Sequence, residues 1–206
     1  IKFLKKNRIS KSWLIEQRRD YFVRQSKIQG YRSRSAFKLI DMNKKFNFIK
    51  SNTYLLDLGS TPGGWTQVAT KIITKGKILA VDVKQMEKQG NATFLFGDIN
   101  DSKIQEKIVR YFDRKIDVVI SDMASNTSGN KNLDSYRTGE LCLNAIAFAK
   151  KILIQDGVFL SKLFMGSIFQ EIKKKAEKCF KKVVIYKPLS SKKESKEIYI
   201  YCKYIL

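Results

Sequence analysis

The residues with clear chemical capability in this sequence are a short glycine-containing turn and three aspartates spaced behind it. Gly59-Ser60-Thr61-Pro62-Gly63-Gly64-Trp65 follows the apolar run 53–58. Asp82, Asp98 and Asp122 each close a later apolar run. In an open α/β sheet, ligands bind just beyond the carboxyl ends of the strands, so all four features fall on one rim. Glycine lets the backbone approach a ligand and take positive φ. The helix after the turn offers unpaired N–H groups. The turn lacks the glycine spacing of a dinucleotide fingerprint, because Thr61 and Pro62 interrupt it, and no Gly-Lys-Ser/Thr completes a Walker loop. A carboxylate after the second strand can accept two ribose hydroxyls. One after the third can hold an adenine amino group, and one after the fourth can meet a cationic amine or sulfonium. Any single Asp in such a place also serves as an ordinary cap. Three at successive strand ends fit that reading less well.

Two further facts narrow the chemistry. The chain has 3 cysteines and no histidine. Cys142, Cys179 and Cys202 form no CxxC pair. Zinc fingers, HExxH sites and histidine-based triads are therefore excluded, and no metal site is expected. Proton transfer must use Asp, Glu, Lys, Tyr or Cys. Lys162 stands out, because it interrupts an apolar run with Val158, Leu160 and Phe164 on its own face at a spacing of two. A charge inside an apolar strand is costly unless it is used.

The elements that must position these residues follow from periodicity. Apolar runs predict strands at 53–58, 77–83, 92–97, 116–121, 157–164, 182–187 and 196–204. Amphipathic stretches predict helices at 64–74, 101–112, 134–154 and 167–179, and two more at 9–26 and 31–47, capped by Ser10 and Ser33. Alternating strand and helix implies an α/β, doubly wound, Rossmann-like sheet that is mostly parallel, with helices on both faces. Loop 188–195 has no room for a helix, so the last two strands should be antiparallel neighbours. A length of 206 residues suits a single domain over 1–206. No apolar run is long enough to span a bilayer and residues 1–8 lack a signal core, so a cytoplasmic protein without membrane contact is expected.

The formal net charge is +22. Residues 1–50 hold 15 Lys/Arg against 3 Asp/Glu, and residues 171–196 hold 10 against 3, whereas residues 51–170 hold 15 against 12. Total charge alone fits a Lys-rich composition equally well. Its confinement to two flanking segments favours a polyanion partner there.

Asp57-Leu-Gly-Ser-Thr-Pro-Gly-Gly-Trp65, Ser121-Asp-Met-Ala124 and Tyr31-Arg-Ser-Arg-Ser-Ala-Phe-Lys38-Leu39 resemble the FtsJ (RrmJ) family of 2′-O-ribose methyltransferases. The resemblance spans about Trp13 to Tyr201. It implies a seven-stranded methyltransferase sheet with the last strand antiparallel and S-adenosyl-L-methionine as cofactor. The implied catalytic set is Lys38, Asp122, Lys162 and Glu197. The implied cofactor set is Gly59, Pro62, Gly63, Gly64, Trp65, Asp82, Asp98 and Asp122. It also implies a substrate, a uridine of 23S ribosomal RNA in the assembled large subunit, and a monomeric enzyme. Ser60-Thr61 replace two alanines usual in the family's loop, and Ser125 replaces a usual proline before Asn126.

Methyl transfer from a sulfonium requires in-line alignment of the oxygen and removal of its proton. A lysine can act as that base if its amine is neutral. Burial and a nearby Lys38 would favour the neutral amine of Lys162, whereas Asp122 and Glu197 would favour the ammonium. Lys162 could equally stay charged and orient the hydroxyl. RNA would lie across the basic N-terminal helices and segment 173–196, with Arg32 and Arg34 holding phosphates. Tyr31, Trp13 and Tyr136 are candidates for stacking on a base. The competing readings are a non-catalytic ribosome-assembly factor, a nicotinamide oxidoreductase, and a methyltransferase acting on a base or a protein.

Overall fold

The structure is a computed structural model that describes residues 21–125, 128–192 and 194–206. The expected Ser10 cap, residues 9–20 of the first helix and Trp13 lie outside the described residues.

Helix α1 occupies 21–28, followed by α2 (Ala36–Phe46), β1 (Tyr54–Leu58), α3 (Gly64–Ile72), β2 (Lys77–Asp82) and β3 (Thr93–Phe96). The chain continues through α4 (Ser102–Phe112), β4 (Ile116–Ser121), α5 (Lys131–Ile152), β5 (Leu153–Phe164), α6 (Phe169–Glu177), β6 (Phe180–Tyr186) and β7 (Glu197–Ile205). Among the described residues the strands form one seven-stranded sheet in the order β3-β2-β1-β4-β5-β7-β6. Strands β1 to β5 pair in parallel, and β7 runs antiparallel between β5 and β6. The expected mostly parallel sheet with an antiparallel last strand is borne out.

Each strand sends alternate side chains to opposite faces, and the two faces make two cores. Leu56, Leu58, Val119 and Phe159 pack beneath Ile104 and Ile108 of α4, Ala145 and Ile146 of α5, and Ile172 and Ala176 of α6. Leu55, Val118, Ile120, Leu160, Tyr199 and Tyr201 pack beneath Leu39 and Met42 of α2 and Trp65 and Val68 of α3. Fully burying one such large side chain stabilises the fold by roughly 1.5–3 kcal/mol. No helix among the described residues is long and apolar enough to cross a membrane.

Local chemistry sets the boundaries. Asp101 caps α4 by accepting from the Lys103 N–H, and Asn130 caps α5 by accepting from those of Asn132 and Leu133. Helix α5 therefore begins at Lys131, three residues before the sequence-based start at 134. Helix α2 ends where Asn47 takes a left-handed φ of 51°, and the Asn43 side chain accepts from Phe48 and Ile49. Its start differs more. The helix expected from 31 begins at Ala36, and Ser33 is not its cap. Residues 31–35 instead run as turns against α3: Arg32 N–H donates to Gln67 Oε1 at 2.7 Å, and Ser33 Oγ bonds Ser35 Oγ at 2.6 Å.

Strand order reverses between β1 and β4, with β2 on one side of β1 and β4 on the other. The loops after these strands diverge there and leave a crevice at the carboxyl rim.

Candidate active site

The crevice is a cavity of about 390 Å³ lined by Gly59, Thr61, Asp82, Val83, Lys84, Asp98, Asp122 and Met123, among others. The structure thus brings Gly59 and the three strand-end aspartates together. Pro62, Gly63, Gly64 and Trp65 are not among its lining residues.

Each aspartate is held by its surroundings. Asp82 accepts from the backbone of Thr61 at 2.9 Å and of Lys84 at 2.8 Å. Asp98 Oδ1 accepts from the backbone and side-chain amides of Asn100, both at 2.9 Å. The Asp122 N–H donates to Leu58 O at 3.1 Å, which fixes the segment after β4 beside the glycine turn. That approach demands glycine at 59, where φ is +71° and an added Cβ would lie 2.6 Å from the Met123 side chain and 2.9 Å from its backbone. Gly63 and Gly64 face the other way. A Cβ on Gly64 would lie 2.3 Å from Ser33 Oγ, and one on Gly63 2.9 Å from the Arg32 guanidinium. These two glycines admit the 31–35 turns. Trp65 is 2% exposed; its Nε1 donates to Ser35 O at 2.9 Å, and its ring lies 5.7 Å from that of Tyr199. It buttresses the start of α2 from within the core.

The four residues of the implied catalytic set converge at the same rim as two ion pairs. Lys38 Nζ, from α2, lies 2.7 Å from both carboxylate oxygens of Glu197, the first residue of β7. Lys162 Nζ, from β5, lies 3.0 Å from Asp122 Oδ1 and donates to the Asp122 carbonyl at 2.7 Å. Their side chains are 10–18% exposed. Pairs so poorly hydrated persist only when each charge has a partner and further hydrogen bonds. Ser191 Oγ supplies one, donating to Glu197 Oε1 at 3.0 Å.

Tyr199 joins the two pairs, and sequence reasoning missed it. It is fully buried, its hydroxyl donates to Asp122 Oδ1 at 3.2 Å, and Lys38 Nζ lies 5.9 Å from its ring centre. Burial, then the charges of Asp122 and Glu197, push its hydroxyl well above the ordinary tyrosine range. It therefore stays a donor to Asp122 throughout the neutral range. The missed signal was spacing: Tyr199 follows Glu197 by two on one face of β7 and pairs with Lys162 across the ladder.

Asp57 of β1 is also fully buried, with Oδ2 accepting from Thr66 Oγ1 at 2.7 Å and no partner on Oδ1. Burial raises its carboxyl to about 7 against the hydrogen bond from Thr66, and Asp122 and Asp82 add to the rise. All three cysteines are buried, and burial pushes the Cys142 thiol up to about 12, so it is no nucleophile at neutral pH.

The other expected contacts are distributed differently. Arg34 donates to Ser190 O at 2.7 Å. Tyr31 packs against Phe37 at 5.6 Å, with Lys71 Nζ 4.0 Å from its ring centre. Tyr136 is 48% exposed near the start of α5. Ser125 N–H donates to Thr138 Oγ1 at 3.4 Å, while Asn126 lies outside the described residues.

Comparison with known proteins converges on one family. The model of the FtsJ-like methyltransferase family matches residues 31–205. The chain is 48% identical to the ribosomal RNA large subunit methyltransferase E of Pelagibacter ubique over 97% of its own length and 98% of the relative's. A crystal structure from Plasmodium falciparum, described as a ribosomal RNA methyltransferase, is 33% identical. It covers 85% of this chain and 99% of that one, with a TM-score of 0.76. Human methyltransferase-like protein 13, solved in complex with SAH, is 13% identical. It covers 82% of this chain and 79% of that one with a TM-score of 0.57, a likeness of fold alone. With a matching family model over most of its length, a relative at 48% identity and a sheet of the same architecture, the chain belongs to the FtsJ-like methyltransferase family.

Proposed function

We propose that the protein is an S-adenosylmethionine-dependent 2′-O-ribose methyltransferase acting on a uridine of 23S ribosomal RNA. The observation that carries this reading is the double position of Asp122. It lines the cavity and, through the same carboxylate, holds Lys162 at 3.0 Å. A cofactor pocket and an amine suited to proton handling thereby share one charged group.

The residues of the cavity fit the cofactor. A volume of about 390 Å³ lies within the range for small-molecule sites. Asp82 is suited to a ribose diol, and Asp98 to an adenine amino group. Asp122 is suited to positive charge. When bound, S-adenosylmethionine supplies a methyl group already activated on a sulfonium. The chain's own residues then have two tasks. Lys38, held by Glu197, and Lys162, held by Asp122, orient the ribose hydroxyl at the mouth of the cavity. Lys162 Nζ is the group suited to take the hydroxyl proton, a step that requires it first to release its own proton to solvent, because no histidine exists and Tyr199 remains a donor. The described part of the basic N-terminal region and the basic segment 171–196, which meet where Arg34 donates to Ser190 O, supply the RNA surface. The same reading makes the protein a monomeric cytoplasmic enzyme whose substrate is the assembled large subunit. The related Pelagibacter protein carries the name of a large-subunit methyltransferase.

The test is methylation of large ribosomal subunits and of naked 23S ribosomal RNA with labelled cofactor, followed by mass spectrometry of the digested nucleosides. Label in 2′-O-methyluridine is expected, with more from the subunit. Label in a base, or none with either substrate, would overturn the reading; the second result would favour a non-catalytic assembly factor.

A further inference from the structure

Arg32 belongs to the basic region 1–50, where an arginine could hold a phosphate. Its guanidinium is engaged elsewhere. Nη1 donates to the carbonyls of Glu87 at 2.9 Å and Pro62 at 3.3 Å. Nη2 donates to the carbonyl of Lys88 at 3.2 Å and pairs with the Glu87 carboxylate at 3.4 Å. The side chain is only 23% exposed. Its backbone is anchored too: Gln67 accepts from Arg32 N–H at 2.7 Å and donates to Gly30 O at 3.0 Å. Gly63 at φ +112° leaves room for the guanidinium, since a Cβ there would lie 2.9 Å from Nη1.

The two loops gripped in this way form one wall of the cavity. Thr61 lines it from the glycine turn, and Val83 and Lys84 line it from the loop after β2. Hydrogen bonds tie those loops directly at Thr61, from its N–H to Asp82 and from its Oγ1 to Lys84 O at 3.0 Å, and Met86 of the second loop packs close to Gly63. The far end of the second loop, at Glu87 and Lys88, reaches the glycine turn through Arg32. A planar fork with five donors can hold carbonyls on both loops at fixed separation, whereas a lysine ammonium cannot reproduce that geometry.

We propose that Arg32 is a positioning residue for the cofactor cavity, a strap that sets the spacing of the glycine turn and loop 83–88, and not a phosphate ligand. The inference rests on the cofactor reading given above. A phosphate ligand is exposed and has donors to spare, whereas both Nη atoms of Arg32 already serve main-chain oxygens.

Two variants separate the alternatives. Arg32→Lys keeps the charge and loses the fork. Gln67→Leu loosens the strap at its backbone end without altering any charge. Calorimetric titration with S-adenosylhomocysteine should show the dissociation constant raised about tenfold in Arg32→Lys and about threefold in Gln67→Leu. Retention of 23S ribosomal RNA on filters should stay within about twofold of the parent in both, because no charge is lost. Weakened cofactor binding in a folded variant with RNA retention kept supports the strap, whereas RNA retention that falls in Arg32→Lys but not in Gln67→Leu would make Arg32 a phosphate ligand and overturn it. Cofactor affinity within twofold of the parent in both variants would overturn it. A parent chain that does not bind S-adenosylhomocysteine would instead overturn the cofactor reading, and the strap with it.

Discussion

The two halves of the rim are built on opposite plans. On the side of β2 and β3, carboxylates are fixed over shorter chain separations: Asp98 by Asn100 and Asp82 by Lys84, each two residues on, with Thr61 of the glycine turn, 21 residues back, also donating to Asp82. On the side of β5 and β7, every charge is fixed by a distant one. Lys38 and Glu197 are 159 residues apart, and Lys162 and Asp122 are 40 apart. The first half needs only correct loops. The second exists only once the whole sheet has formed. A binding half can therefore be preserved in a molecule whose transfer half has failed, and the two should be separable by mutation.

The sharpest separation is Lys162→Ala. Turnover should fall by about a thousandfold, the scale of losing a positioned proton acceptor, while calorimetry should find cofactor affinity within about threefold of the parent. Turnover near that of the parent would dissolve the distinction. The converse is Asp82→Ala, which should raise the cofactor dissociation constant about 10–100-fold and leave turnover at saturating cofactor much less affected. An unchanged constant in the same titration would remove Asp82 from the binding half.

Asp57 lies beneath both halves and tests them through pH. Its carboxyl is raised from 3.8 to about 7 by burial. Between those values the folded chain keeps a proton that the unfolded chain has released, so this group's contribution to stability falls as pH rises towards 7 and is lowest above it. Asp57→Asn, which cannot ionise, should therefore gain on the parent as pH rises. Differential scanning fluorimetry should show melting temperatures close together near pH 4 and the variant higher by on the order of 5 °C at pH 8. A gap that does not widen with pH would contradict the burial argument.

Ser191→Ala should give the smallest effect. It removes one hydrogen bond to Glu197, so turnover should fall about threefold while cofactor affinity is unchanged. A change confined to cofactor affinity would place Glu197 on the wrong side of the division.

The same contrast explains what could be read in the sequence. Strands could be read because two buried faces leave nearly continuous apolar runs, and Asp82, Asp98 and Asp122 because they end such runs at one rim. Lys162 was visible as a charge interrupting one of them. The start of α2 was not, because Ser33 has the chemistry of a cap while Gly63 and Gly64 draw residues 31–35 into tertiary contact. Trp65 looked like part of a ligand turn, but its indole points into the core to Ser35. Tyr199 looked like filler in an aromatic strand. Its importance comes from the antiparallel register that sets it opposite Lys162, and no local pattern encodes that pairing.

Strand β7 is the last described strand to leave the ribosome during synthesis, yet it occupies an interior place in the sheet between β5 and β6. A nascent chain halted before Glu197 would carry the cofactor turn and all three strand-end aspartates. It would lack a mate for Lys38, the hydroxyl that steadies Asp122, and any partner for β6. Both ion pairs should thus be complete only once β7 has been made and inserted between β5 and β6.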